Sequence, residues 1–140
     1  MITTKHITTK QVKAKIEGLK RMSELNPEDY AEKDGWAESI VIDQKSSLNA
    51  TQLRKIFHYV KSLRREFKQQ GGLDRAKVAM MTPLLAYAAG RKHISDDFYD
   101  LLVTMFGSTR CQDRKDFESA SNFLEAIMAY HKYYDKDNKK

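Results

Sequence analysis

An all-α fold, a compact bundle of about five to six helices, is predicted by three features of this sequence of 140 residues. Apolar residues recur at spacings of three and four, the period of one helix face. No convincing alternating run suggests a strand. Glycine and proline, the strongest breakers of regular structure, number only six and two. A chain of this length buries roughly two-thirds of the surface its unfolded form exposes, enough for a core without staples. Residues 1–140 read as a single helical domain. Within it, residues 1–45 form a basic then acidic N-terminal extension, and residues 135–140, "DKDNKK", a frayed tail.

The first helix is expected over about 9–24, with Val12, Ile16, Leu19 and Met22 as its apolar stripe. It is strongly basic and is read as mobile. Asn26-Pro27 is a stop and restart, because proline fits the first turn of a new helix. The acidic stretch from Glu28 to Asp43 holds Gly35 and Trp36 and is expected to be partly irregular. The clearest helix runs from Leu48 to Gln70. Asn49 suits its N-cap, Gln52 answers as in a capping box, and Leu48 with Leu53 supplies a hydrophobic staple. Gly71-Gly72 ends it. A second long helix is expected from about Leu73 to Ala89, kinked by Pro83 and stopped by Gly90. Ser95 caps the next, with Asp96 and Asp97 in a first turn that favours acids, and it runs to about Phe106. A final helix covers about Asp116 to Tyr134. Met80, Met81, Met105 and Met128 are read as core filler.

Charge is unevenly distributed. The net +6 divides into +5 over residues 1–22, −5 over 23–45, +8 over 46–92 and −2 over 93–140. A clustered positive field concentrates polyanions near a surface, so nucleic acid is the first partner to consider. The cluster has a geometry. On the helix 48–70, Leu53, Ile56, Phe57, Val60, Leu63 and Phe67 gather on one side, the core face. Arg54, His58, Lys61, Arg65 and Lys68 follow at offsets of four, three, four and three, a narrow line along one flank, with Lys55 and Arg64 off it. A rise of 1.5 Å per residue gives this line a length of roughly 20 Å, the reach of several consecutive phosphates. It contains no glutamate, so the i to i+4 pairs of an ordinary solvated face are missing. Arg91, Lys92, the basic N-terminal segment, Arg110, Arg114 and Lys115 are candidates to extend the surface.

Other chemistry is poorly represented. Cys111 is the only cysteine, and His6, His58, His93 and His131 show no spacing suited to zinc, so no metal and no cofactor are implied. His58 and His131 are the one pair worth naming for a metal-independent nuclease, and that reading is the remotest. His58 is read as a hydrogen-bonding group toward phosphate, and His131 as a core or interface histidine. Tyr87, Tyr130, Tyr133 and Tyr134 are expected to finish a core with their hydroxyls in water, base stacking being the lesser reading. No apolar run approaches the ~18 residues of a membrane span and the N-terminus lacks a secretory pattern, so the chain is read as soluble, unprocessed and cytoplasmic.

Three segments, "LNATQLRKIF", "LLAYAAGRK" and "FLEAIMAYHKYY", resemble in order and spacing the small subunit of the Csm-type (type III-A) CRISPR-Cas interference complex. The resemblance covers about residues 48–134. It implies a small, non-catalytic helical protein present in several copies in an antiviral ribonucleoprotein. Such copies pack end to end against backbone and large subunits and line the channel where guide (CRISPR) RNA pairs with target RNA. It further implies backbone contact without sequence reading, with Arg54, Arg91 and Lys132 at the matching basic positions. The turn Met81-Thr82-Pro83-Leu84 lacks a basic residue that the family often carries, and Ser119, Ser121 and Asn122 stand where some relatives have basic residues. The residues expected on the RNA backbone are thus Arg54, Lys55, His58, Lys61, Arg65, Lys68, Arg91, Lys92 and Lys132. A helical adaptor whose basic face docks an acidic protein is the alternative.

Overall fold

A computed structural model of the protein describes residues 6–135, and it is all-α among them. The expectations for the extreme N-terminus and for most of the tail at 135–140 lie outside the described residues. Helix α1 spans Thr9–Glu17 and opens on a complete capping box: the Thr8 hydroxyl accepts from Gln11 N at 3.1 Å, and Gln11 Oε1 accepts from Thr8 N at 2.8 Å. It ends at Gly18 instead of near residue 24. Beyond it the chain drops into a 3₁₀ turn, Met22–Glu24, whose Met22 side chain is fully buried and whose amide donates to Arg110 O at 2.9 Å. A continuous helix would have forfeited that tie.

Asn26 caps and Pro27 opens α2, Pro27–Tyr30, as the restart signal predicted. Helix α3 spans Trp36–Gln44 and is followed by a 3₁₀ turn, Lys45–Ser47. Gly35, before α3, could not be substituted freely: a Cβ there would meet Glu32 O at 2.8 Å and Asp29 O at 2.9 Å. Helix α4, Ala50–Gln70, carries the basic line. Asn49 Oδ1 accepts from Gln52 N at 2.9 Å, and Gly71 closes the helix in the left-handed conformation at φ 79°. The reciprocal half of the expected capping box does not form. Asn49 N donates instead to His93 O at 2.9 Å, and Gln52 Oε1 lies 3.3 Å from His93 Nδ1.

The single kinked helix expected over 73–89 is two helices: α5, Arg75–Ala79, capped by Asp74, and α6, Met81–Gly90. Pro83 occupies the first turn of α6, where the missing N–H has no intrahelical acceptor to lose, so it starts a helix and kinks none. The break falls at Met80, which is 60% exposed and therefore not core filler, whereas Met81 and Met105 are buried. Helix α7, Asp96–Phe106, is capped by the Ser95 hydroxyl, which accepts from Phe98 N at 3.0 Å. Helix α8, Arg114–Asp135, is the longest. The helices outnumber the five to six expected because the stretch 73–89 is divided at Met80 and because the acidic stretch, expected to be partly irregular, holds α3 as well as α2.

Helix α8 packs along α4 and α3, α1 lies against α7 and α3, and α6 rests on α5 and α7. The core contains Phe67 set edge-on to Phe117 at 5.1 Å between ring centroids, and Tyr30 beside Phe123 at 4.9 Å. Val12, Ile16, Met22 and Ile40 are fully buried in the same cluster, so the segment 1–45 contributes core as well as charge.

Candidate nucleic-acid interface

Helix α4 owes its place to one face. Leu53, Ile56, Val60, Leu63 and Phe67 are buried, which turns the opposite flank outward. Arg54, His58, Lys61, Arg65 and Lys68 on that flank are all exposed. Among the described residues, the ion pairs within 4.0 Å involve His6, Lys13, Arg21, Lys77 and Arg114, and none of this row. Lys61 Nζ lies 5.5 Å from the centre of the Phe57 ring, which supports the ammonium without neutralising it.

The flanking charges are used internally. Arg64 Nη1 donates to Asn122 Oδ1 at 2.7 Å and to Ser121 Oγ at 3.3 Å, binding α4 to α8 through two of the residues that replace expected basic ones. Glu66, the one acid on α4, is ion-paired with Lys77 of α5. Helix α4 therefore has α8 on its Arg64 side and α5 on its Glu66 side. At 100° per residue the row is centred about 80° from Arg64 and about 120° from Glu66, clear of both neighbours. Lys55 is exposed but falls within about 20° of Glu66, on the α5 side and away from the row.

Both outlying candidate sites lie toward the N-terminal end of α4, level with the start of this row. The bonds from Asn49 and Gln52 to His93 hold the α6–α7 turn, with exposed Arg91 and Lys92, against the first turn of α4. From α8, His131 Nε2 lies 3.3 Å from Leu48 O, so the exposed Lys132 next to it reaches the same end. At the far end Arg114 Nη1 donates to Lys68 O at 3.5 Å while its Nε pairs with Glu118 at 3.5 Å. Arg110 does not extend the surface: it donates to Leu19 O at 3.1 Å and Glu17 O at 2.9 Å, tying down the end of α1.

The remaining polar groups build structure. Asp116 is fully buried at the start of α8, where it accepts from Arg21 Nε at 2.6 Å, Gln112 N at 2.8 Å and Ser23 N at 2.9 Å. Burial pushes this carboxyl up, but the amides of Gln112 and Ser23 and the Arg21 guanidinium together hold it down at about 2. The sequence signal that could have found it is Asp113-x-x-Asp116, in which Asp113 Oδ1 accepts from Asp116 N at 2.9 Å. Arg75 donates to Phe106 O and Cys111 O, both at 3.1 Å. Burial pushes the Cys111 thiol up to about 12, which leaves it unsuited as a nucleophile.

His131 lines a cavity of about 660 Å³ with Val41, Ile42, Leu48 and Tyr134. It is not brought to His58, which lies about 12 Å farther along the axis from the first residue of α4, too far to share one phosphate. The one group of metal-ligand type among the described residues is His6, Asp34 and Glu38, with ligand atoms within 4.8 Å of one another. It lies away from the row, and Glu38 already accepts from Asp34 N at 2.6 Å and the Tyr134 hydroxyl at 2.5 Å. None of the helices among the described residues is long and apolar enough to cross a membrane.

The chemistry open to this surface is attraction of a repeating anion by exposed guanidinium and ammonium groups. A comparison with family models matches residues 20–137 to Csm2 Type III-A. No curated protein and no solved structure matches the chain. With more than four-fifths of its length covered by that match, the chain belongs to the Csm2 Type III-A family.

Proposed function

We propose that this small subunit of a type III-A Csm complex holds RNA by its backbone, without reading sequence and without catalysis of its own. The observation that carries the reading is the row Arg54, His58, Lys61, Arg65 and Lys68: exposed along one flank of α4, and free of ion pairs to carboxylates among the described residues. Like charges at this spacing repel, so the row is stabilised when an anion lies along it. Arginine grips phosphate oxygens with two parallel N–H groups, and lysine supplies a compact charge on a flexible stem. A guide–target duplex of any sequence offers phosphates and 2′-hydroxyls in a constant pattern, which suits a surface with no base-reading geometry. Arg91, Lys92 and Lys132 add charge where the row begins, and Lys55 belongs to the outer margin of the contact. Guide and target RNA, the other subunits of the complex and further copies of this chain are the partners in this reading, and the cytoplasm its compartment.

The experiment is RNA binding at low salt with two unrelated sequences of equal length. The reading expects comparable affinities, and equal weakening of both by Arg54→Ala and by Arg65→Ala. Lys33→Ala, in the acidic segment, should leave binding unchanged. The adaptor alternative expects no RNA affinity, with Arg54→Ala and Arg65→Ala releasing an acidic protein subunit.

A further inference from the structure

From the last turn of α6 we infer that Tyr87 is a stacking platform for an unpaired nucleobase, set toward the end of α4 at which the phosphate-binding row begins. This rests on the RNA-backbone reading above and adds a second kind of contact to it. The four tyrosines Tyr87, Tyr130, Tyr133 and Tyr134 divide sharply. Tyr130 donates its hydroxyl to Ala31 O at 2.8 Å and Tyr134 donates to Glu38, so both serve the packing of α8 on the α2–α3 region. Tyr133 is set edge-on to Tyr134 at 5.0 Å between centroids. Tyr87 is different: it is 65% exposed, and what touches it is Arg91.

The Arg91 contact is a brace. The guanidinium carbon lies 5.7 Å from the ring centre, while Nη1 donates to the Tyr87 hydroxyl at 3.1 Å. Two contacts from one guanidinium, four residues along the chain, restrict the rotation of a side chain that stays 65% exposed, so little ordering entropy remains to be lost when a flat ligand arrives. The ring keeps exposed surface for that ligand, and the apolar surface continues one turn back through Leu84, 51% exposed. Arg91 meanwhile retains donors for a phosphate.

Position completes the case. The turn after α6 is bound to the first turn of α4 through Asn49 and Gln52, so the braced ring belongs to the end of α6 that meets the N-terminal end of α4, level with the start of the row, on the side to which Gln52 projects, about 160° around the axis from Arg54. Cations that follow a backbone, joined to an aromatic ring that accepts any base, is the arrangement by which proteins hold single-stranded nucleic acid without sequence preference. A base inside a duplex has both faces covered, so the ligand of Tyr87 is a base that is unpaired or turned out of the stack.

The test uses the full chain, a single-stranded RNA carrying 2-aminopurine and a blunt-ended RNA duplex with a similar number of phosphates. Wild type and Tyr87→Phe should quench 2-aminopurine on binding. Tyr87→Ala should abolish the quench and weaken single-strand binding roughly 5- to 150-fold, while duplex affinity stays unchanged. Equal binding and quenching by wild type and Tyr87→Ala would overturn the inference and leave the row intact. So would retained RNA binding by Tyr87→Ala together with its loss from the assembled complex, which would make this face a protein contact. Failure of the wild type to bind either RNA at low salt would overturn the backbone reading itself.

Discussion

The contrast between Asp116 and Arg65 explains how single residues are used in this protein. Asp116 is a charge with its partners supplied by its own chain; Arg65 is exposed and has no ion pair among the described residues. Because the Asp116 carboxyl is held at about 2, below the ordinary value near 3.9, its stabilising effect is complete above the unfolded value and is lost as pH falls through the folded one. Unfolding free energy should therefore decline between about pH 4 and pH 2 in the native chain, and this decline should shrink in Asp116→Asn. At neutral pH, denaturant titration should find Asp116→Ala destabilised by about 2–4 kcal/mol, since it strands buried amides and the Arg21 guanidinium. The row on α4 was legible because helical spacing converts sequence offsets directly into a line. The inward use of Arg110, and the bracing of Tyr87 by Arg91, were less so: the first depends on carbonyls about ninety positions away, and the second on a side-chain rotamer.

Among elements, α4 was read almost completely because its signals are local: an Asn cap, an apolar period and a left-handed glycine. Asn49→Ala should cost about 1 kcal/mol and Gly71→Ala a similar amount, the first through loss of the cap and the second through its φ of 79°. The region of Pro83 was misread, because proline inside an apolar run implies a kink only if the helix starts well before it. Since the helix starts at Met81, Pro83→Ala should change stability by less than about 0.5 kcal/mol. Relief of a kink inside one long helix would instead stabilise by up to roughly 3 kcal/mol, and thermal unfolding distinguishes the two.

For the molecule as a whole, composition obscured what periodicity contained. Residues 9–22 look like a basic appendage because lysines dominate them, yet Val12, Ile16 and Met22 are fully buried in the common core. Ile16→Ala should accordingly cost about 2–5 kcal/mol by denaturant unfolding, a loss that a mobile extension would not show. The acidic half of that region packs against α8 through Tyr30 and α3, while the exposed cations of the row stand on the outer flank of α4. That segregation suits a subunit that meets nucleic acid with one surface and protein with others. The most direct test of the account is the salt dependence of RNA affinity in the native chain and in a variant with Arg54, Lys61, Arg65 and Lys68 all changed to glutamine. The account predicts that the slope of log affinity against log salt becomes shallower by about 3, with thermal stability unchanged. An unaltered slope and affinity in the folded variant would contradict it.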